Sequence, residues 1–180
     1  MMSNTLLESV VKKNRARLIP FMLALYVLAF LDRSNIGFAK ETYQLDTGLS
    51  NEAYALGAGI FFVVYAFLGV PANLLMRKFG ARRWIGCTTL LWGVLSAAMA
   101  WADTEAKFLL VRTLLGAAEA GFFPGMIYLT SQWFPQQNRA SIMGLFYMGA
   151  PLALTLGSPL SGALLEMHGL MGHPGWFWMF

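Results

Sequence analysis

The chain has 180 residues, of which 57% are hydrophobic and only 12% are charged. Soluble domains carry about 25% charged residues, so this chain lacks the polar surface that a water-soluble protein needs. Its net charge of +4 does not indicate nucleic-acid binding, because the Lys and Arg residues cluster beside apolar runs, as membrane topology signals do.

Five apolar segments are long enough to cross a hydrocarbon core of roughly 30 Å, which takes about 20 helical residues. They cover residues 18–39, 54–75, 84–101, 108–130 and 142–165. A sixth begins at Gly175 and is cut off at Phe180. We therefore predict an all-α polytopic membrane protein, with an N-terminal arm over residues 1–17 and an incomplete six-helix half over residues 18–180.

Loop charge predicts the orientation of these segments. The N-terminal arm and the second and fourth connections are basic, whereas the alternate connections are acidic. Lys and Arg accumulate in cytoplasmic loops, so the charge of the arm and of every connection predicts the same orientation, with the N-terminal arm in the cytoplasm. The basic residues are Lys12, Lys13, Arg15 and Arg17 in the arm, Arg77, Lys78, Arg82 and Arg83 in the second connection, and Arg139 in the fourth.

The fifth segment is rich in residues that disturb a helix, namely Gly149, Pro151, Gly157, Pro159 and Gly162. Proline removes a backbone donor and kinks a helix, so we predict that this segment bends. Glycines in the other segments predict close packing, because helices in lipid associate through small residues.

Four ionisable residues lie inside the apolar segments: Asp32 and Arg33 in the first, Arg112 and Glu119 in the fourth. Each would cost about 2.5–3.5 kcal/mol at the centre of a lipid-exposed helix, so none should face lipid. One interpretation is two ion pairs that fix helix packing. The other is a site for substrate and protons, which is the usual role of charge inside a membrane.

Counting along each helix at about 1.5 Å per residue estimates the depth of these side chains. Asp32 falls about 9 Å, and Arg112 about 6 Å, below the outer surface of the hydrocarbon core. These levels predict that Asp32 and Arg112 face one another. Glu119 lies two turns beyond Arg112 at about 16 Å, near mid-membrane, and Tyr65 in the second segment reaches the same level.

These depths suggest a division of roles. A carboxylate at the bilayer centre without a fixed partner can carry a proton at neutral pH, which fits Glu119. Arg33 offers a planar, permanently charged fork that suits a substrate carboxylate. Asp32 could exchange partners as protons and substrate arrive, and Tyr65 could offer a hydroxyl to a polar solute.

Several motifs resemble those of the major facilitator superfamily and its anion:cation symporter branch. The connection after the second segment resembles the family's inner-loop signature, although Met76 stands where an acid is usual. Residues 31–35, 112–124, 132–135 with Arg139, and 157–162 resemble motifs of the branch. The residues that match the inner-loop signature, and so are expected to take part in conformational change, are Gly69, Arg77, Lys78, Gly80, Arg82 and Arg83.

The resemblance implies a fold of two six-helix halves with the solute between them. It implies proton-coupled import of an organic anion across a bacterial inner membrane, a sugar acid such as L-rhamnonate or an aromatic carboxylate, without a cofactor. The expected partners are the anion, the proton, the lipid bilayer and the C-terminal half of the transporter. Because 180 residues supply only the first half, we expect no transport by this chain alone.

Two other functions remain open at this point. An intramembrane enzyme would need a nucleophile and a base at one depth, and His168 and His173 lie in the last outer connection instead. These histidines also lack the partners of a metal site, and the single cysteine, Cys87, excludes a disulfide within the chain. A non-transporting assembly protein would use the four buried charges only to hold helices together.

Overall fold

The computed structural model describes the backbone of residues 2–180 and the side chains from Glu8 onward, and this part of the chain is helical without strands. The prediction of an all-α protein is confirmed. The helices are α1 (Met2–Thr47), α2 (Asn51–Phe79), α3 (Ala81–Ala98), α4 (Glu105–Glu119), α5 (Phe122–Trp133), α6 (Gln136–Tyr147) and α7 (Gly149–Leu165). Short 3₁₀ turns follow at Met99–Trp101, Leu170–Gly172 and Gly175–Met179.

Five stretches of the described residues are long and apolar enough to cross a membrane, as predicted. The fourth is built from α4 and α5 and the fifth from α6 and α7, while α1, α2 and α3 supply the first three. These stretches are Glu8–Thr47, Asn51–Phe79, Ala81–Trp101, Glu105–Trp133 and Gln136–Leu165. Each contains its predicted segment and extends beyond it at one end or both, since capping residues rather than hydrophobicity set the helix ends.

The helix ends follow local sequence signals. Gly48, at φ 70°, ends α1 and donates its N–H to the Gln44 carbonyl at 2.9 Å. Ser50 begins α2 by accepting the Ala53 N–H on its hydroxyl at 3.1 Å. These are a glycine C-cap and a serine N-cap, and they leave a very short turn between two antiparallel helices.

The connection between the second and third spans is shorter than we predicted. Gly69, Arg77 and Lys78 lie within α2, and Arg82 and Arg83 lie in the first turn of α3. Only one residue of the inner-loop signature interrupts the helices, namely Gly80, at φ 86° and ψ 139°. That backbone conformation is essentially restricted to glycine, so Gly80 alone makes the corner.

Two spans are interrupted near a proline. Ala120 and Gly121 separate α4 from α5, three to four residues before Pro124, and Met148 separates α6 from α7, three residues before Pro151. A proline ring clashes with the carbonyl four residues earlier, which explains both positions. The interruption at Met148 lies in the span for which we predicted a bend. The break in the fourth span was not predicted, and it directly follows Glu119.

Glycines allow the helices to approach closely. A Cβ atom on Gly116 of α4 would lie 2.5 Å from the Phe61 carbonyl oxygen of α2, and one on Gly57 of α2 would overlap the Phe108 ring. Between α1 and α7, Gly149 lies against the ring of Tyr26 in the same way. Small residues therefore bring α4 and α7 against their neighbours, as predicted for helices in lipid.

Polar contacts tie together one end of the bundle. The Trp176 indole donates to Asp46 at 2.7 Å, and the Asn35 amide donates to the Met179 carbonyl at 2.5 Å. These bonds hold Gly175–Met179, which is a 3₁₀ turn where we predicted the first residues of a sixth helix. At the same end Lys107 donates to Asp103 at 2.6 Å, and this hydrogen bond lowers the pKa of the exposed Asp103 carboxyl.

Candidate functional site

The four charged residues predicted inside the membrane lie in one buried cluster where α1, α2, α3 and α4 meet. The exposed fractions are 8% for Asp32, 3% for Arg112 and 1% for Glu119. The Arg33 side chain is 20% exposed. None of the four projects outward from the bundle, which agrees with the high cost of presenting a charge to lipid.

An ion pair between Arg33 and Glu119 forms the centre of the cluster. Arg33 Nη2 and Nε both donate to Glu119 Oε2, at 2.6 Å and 2.9 Å. We had predicted that Glu119 has no fixed partner, and the structure corrects this. The second oxygen, Glu119 Oε1, is buried without a hydrogen-bond partner and can accept a proton.

Asp32 leaves α1 in a different direction from Arg33, because successive residues of a helix project about 100° apart, and its carboxylate still interacts with that of Glu119. It accepts a hydrogen bond from the Ser96 hydroxyl of α3 through Oδ1. Its other oxygen, Oδ2, is buried without a hydrogen-bond partner. Asp32 is thus a second buried carboxylate with one oxygen available to a proton, on the α3 side of the cluster.

Arg112 makes no hydrogen bond or ion pair with Asp32, the residue that we predicted it to face. Its Nε donates to the Gly57 carbonyl at 3.3 Å, and its guanidinium lies 4.6 Å from the centre of the Phe61 ring. The positive charge still acts on both Asp32 and Glu119 through space. The depth count brought Arg112 to the right level but could not fix its direction, which depends on the rotation of α4 about its axis.

Aromatic rings surround the Arg33 guanidinium. The ring centres of Tyr65, Phe61 and Phe30 lie 4.8, 5.6 and 5.9 Å from its Cζ atom. Faces of aromatic rings attract cations, so these rings hold the guanidinium plane in position. Tyr65 therefore lies beside Arg33, and its ring stacks on that of Phe61 in the same wall of the cluster.

Four contacts of the cluster were not predicted from the sequence: Ser96, Phe30, Phe61 and the carbonyl of Gly57. Ser96 and Gly57 are small residues in apolar runs, which also occur as packing residues. Phe61 contacts both arginines but has no polar atom to distinguish it from the other phenylalanines. Only the position of Ser96, which lies at the depth of Asp32 on α3, the next helix that runs parallel to α1, could have indicated its role.

The charges of the cluster balance. Two carboxylates, Asp32 and Glu119, stand against two guanidinium groups, Arg33 and Arg112, so their formal sum is zero. An anion that enters this site alone leaves one negative charge uncompensated. An uncompensated ion in a low-dielectric interior costs on the order of several kcal/mol, so the site resists the entry of an anion by itself. An anion that enters with a proton leaves the balance unchanged.

The residues of the inner-loop signature lie outside this cluster. The Arg77 guanidinium of α2 lies 5.8 Å from the centre of the Tyr128 ring of α5. Arg82 and Arg83 are exposed at the start of α3. Gly69 packs near the Ala120 carbonyl, at the break between α4 and α5, so this part of the signature contacts the irregular backbone that follows Glu119.

A substitution at Ser96 tests whether its hydroxyl supports the charged form of Asp32. A hydrogen bond to a charged group contributes about 1.5–3 kcal/mol, and less to a neutral acid. If Asp32 takes part in the proton-coupled transport that the sequence resemblance implies, Ser96→Ala should lower uptake strongly at alkaline pH, where the charged form of Asp32 is required, and weakly at acidic pH. The measurement is uptake against pH in the intact transporter.

Ser34→Ala is the matched control for this experiment, because the Ser34 hydroxyl donates only to the Leu31 carbonyl of its own helix, at 3.0 Å. We expect it to leave the pH profile unchanged. Equal losses at all pH values in the Ser96 variant would show that the hydroxyl matters for packing alone.

A family model described as Major Facilitator Superfamily matches residues 22–180. The chain is 92% identical to the inner membrane transport protein RhmT of Escherichia coli strain K12, over 99% of this chain and 42% of that protein. It is 51% identical to a putative tartrate transporter of Agrobacterium vitis, over 99% of this chain and 40% of that protein.

Among solved structures, the chain is similar to a bacterial homologue of the human lysosomal transporter Spinster, crystallised in an inward-facing and occupied conformation. The TM-score is 0.80 at 20% identity, and the match covers 92% of this chain and 40% of the other. This likeness establishes the fold. The chain spans about two fifths of the length of the curated relatives it matches.

Proposed function

Since the chain belongs to the Major Facilitator Superfamily, we propose that it forms the proton- and substrate-binding half of a symporter that imports a small organic anion. The observation that carries this proposal is the buried, charge-balanced cluster of Asp32, Arg33, Arg112 and Glu119. Members of the family are transporters, so the alternative of an intramembrane enzyme is wrong.

Charge balance supplies a physical reason for coupling. A carboxylate substrate brings one negative charge into a cluster that sums to zero, and a proton on Glu119 or Asp32 compensates it. Binding of either species therefore favours binding of the other, as linkage requires. Anion and proton together are the combination that crosses the membrane without leaving an unbalanced buried charge.

The Arg33–Glu119 ion pair is the exchangeable part of this arrangement. A proton on Glu119 removes its charge and weakens its hold on the guanidinium, which frees the Arg33 fork for a substrate carboxylate. Once the substrate leaves, the charged Glu119 recovers Arg33 as the proton departs. Tyr65 and Phe61 keep the guanidinium in one plane during the exchange, and the Tyr65 hydroxyl can bond to a polar substrate.

The substrate that fits best is a sugar acid such as L-rhamnonate. One carboxylate would match Arg33, and hydroxyl groups would match the Tyr65 hydroxyl and the unpaired buried carboxylate oxygens of the cluster. The name of the Agrobacterium vitis relative refers to tartrate, which is itself a hydroxylated organic acid. Both compounds combine a carboxylate with neighbouring hydroxyl groups.

The location follows the same proposal. The Escherichia coli relative is an inner membrane transport protein, and the charge of the loops supports a cytoplasmic position of the N-terminal arm of this chain. Transport would involve both halves of the family's fold, with the substrate between them. The chain described here would supply the acidic and basic groups on one side of that pathway.

Uptake by the intact transporter in proteoliposomes tests the proposal. We expect an inward proton gradient to drive accumulation of L-rhamnonate, and an inward sodium gradient of equal size to have no effect. Competition by other sugar acids and by aromatic carboxylates would rank the substrate class. Accumulation driven by sodium would contradict proton coupling, and the absence of any anion uptake would favour the assembly-protein alternative.

A further inference from the structure

A cleft at one end of the bundle combines two unpaired arginines with an apolar wall. Its volume is about 890 Å³, and it lies between α1, the corner at Gly80, the start of α3 and the end of α5. The cleft is separate from the charged cluster, because none of the four charged residues of that cluster lines it. Its lining includes Leu18, Phe21, Phe79, Arg82, Arg83 and Trp133.

The charged side of the cleft consists of Arg82 and Arg83. Both side chains are exposed, and among the described residues neither has a hydrogen bond or ion pair. No Asp or Glu is among the residues that line the cleft. The two guanidinium groups therefore present an uncompensated positive charge to whatever occupies it, which favours an anion.

The opposite side of the cleft is apolar. Phe21, Phe79 and Trp133 are about half exposed, at 50%, 54% and 53%, and Leu18 lies one helical turn from Phe21. All of these residues belong to the membrane-spanning stretches or their immediate ends. Tryptophan at the end of such a stretch is typical of the membrane–water interface, where headgroups meet acyl chains.

We propose that this cleft binds one anionic phospholipid, with the phosphate on Arg82 and Arg83 and an acyl chain along Phe21 and Phe79. The two arginines would bind the negative headgroup, and the apolar wall would contact the acyl chain. A soluble phosphate would use only the first feature. This inference depends on the fold and the position of the cleft, and not on the transport reaction proposed above.

Lipid titration of the purified transporter tests this proposal. The protein, stripped of lipid in detergent, is titrated with phosphatidylglycerol, with phosphatidylcholine of the same acyl chains, and with glycerol phosphate, and bound ligand is counted by native mass spectrometry. We expect phosphatidylglycerol to bind much more tightly than the other two. Phosphatidylcholine lacks the net charge, and glycerol phosphate lacks the acyl chains.

Paired variants locate the site. Each basic residue near an anionic lipid contributes about 1 kcal/mol, so Arg82→Gln with Arg83→Gln should weaken phosphatidylglycerol binding about thirtyfold. Arg82→Lys with Arg83→Lys should retain most of it. Lys12→Gln with Lys13→Gln removes the same charge from exposed residues outside the cleft and should have little effect.

Three results would overturn the proposal. Undiminished phosphatidylglycerol binding by the Arg82 and Arg83 glutamine variant would place the lipid elsewhere. Equal losses in the Lys12 and Lys13 variant would indicate a diffuse charge effect. Glycerol phosphate binding as tightly as the lipid would identify a site for a soluble phosphate. Phosphatidylcholine binding should be the same in all variants, which checks that each is folded.

Discussion

Glu119→Gln should abolish concentrative uptake, so that substrate reaches only its external concentration inside proteoliposomes. Glutamine keeps the shape of the side chain but cannot bind or release a proton, so the cluster carries one fixed positive charge. Exchange of internal for external substrate does not need net proton movement and should persist. The measurement is uptake driven by a proton gradient, compared with exchange in its absence.

Arg33→Lys should give the complementary result. Lysine keeps the positive charge but loses the planar fork that now makes two hydrogen bonds to Glu119. One lost hydrogen bond to a charged group corresponds to about tenfold to a hundredfold weaker apparent substrate affinity, with coupling retained. Glu166→Gln, an exposed acid beyond the end of α7, is the control and should behave as wild type. Proton-driven accumulation by the Glu119 variant would contradict the assignment.

Gly116→Val should destabilise the transporter more than any other single substitution considered. A Cβ atom at this position would lie 2.5 Å from the Phe61 carbonyl oxygen, and a backbone atom cannot move aside as a side chain can. Overpacking of this kind costs about 1–3 kcal/mol, and valine adds two methyl groups to that overlap. Because Phe61 contacts both arginines, substrate affinity should fall as well.

Gly59→Val provides the matched control, because a Cβ atom there has no other atom within 4 Å. Both glycines lie in membrane-spanning helices, so the two substitutions differ mainly in what the new side chain meets. Thermal unfolding in detergent, followed by the loss of helical circular dichroism, compares them. Similar midpoints for the two variants would show that the close approach of α2 and α4 is not important for stability.

The spans could be predicted because the hydrocarbon core sets a minimum length of apolar helix, which is visible in the sequence. Helix ends were less predictable, since Ser50 and Gly80 act through single caps and corners. The break after Glu119 had a visible signal in Pro124, whose effect falls one turn before the proline itself. The sequence therefore contained that signal, but hydropathy alone treats α4 and α5 as one segment.

The sequence analysis predicted which charged residues come together inside the bundle, but it did not predict which of them form an ion pair. The high free-energy cost of exposing a charge to lipid predicted that Asp32, Arg33, Arg112 and Glu119 lie inside the bundle. Counting residues along each helix gave their depth. Depth is one coordinate, while a contact also needs the rotation of each helix, which depends on packing at positions such as Gly116. Consequently Arg33, and not Asp32, meets the fourth span through an ion pair. Ser96 was missed because one hydroxyl in an apolar run carries little information.

The central claim is that the cluster binds an anion together with a proton. Calorimetric titration of the intact transporter with L-rhamnonate, at alkaline pH and in buffers of different ionisation enthalpy, measures the protons taken up on binding. Charge balance predicts about one proton per anion in the wild type and none in the Glu119→Gln variant. Anion binding by the wild type without proton uptake would contradict it.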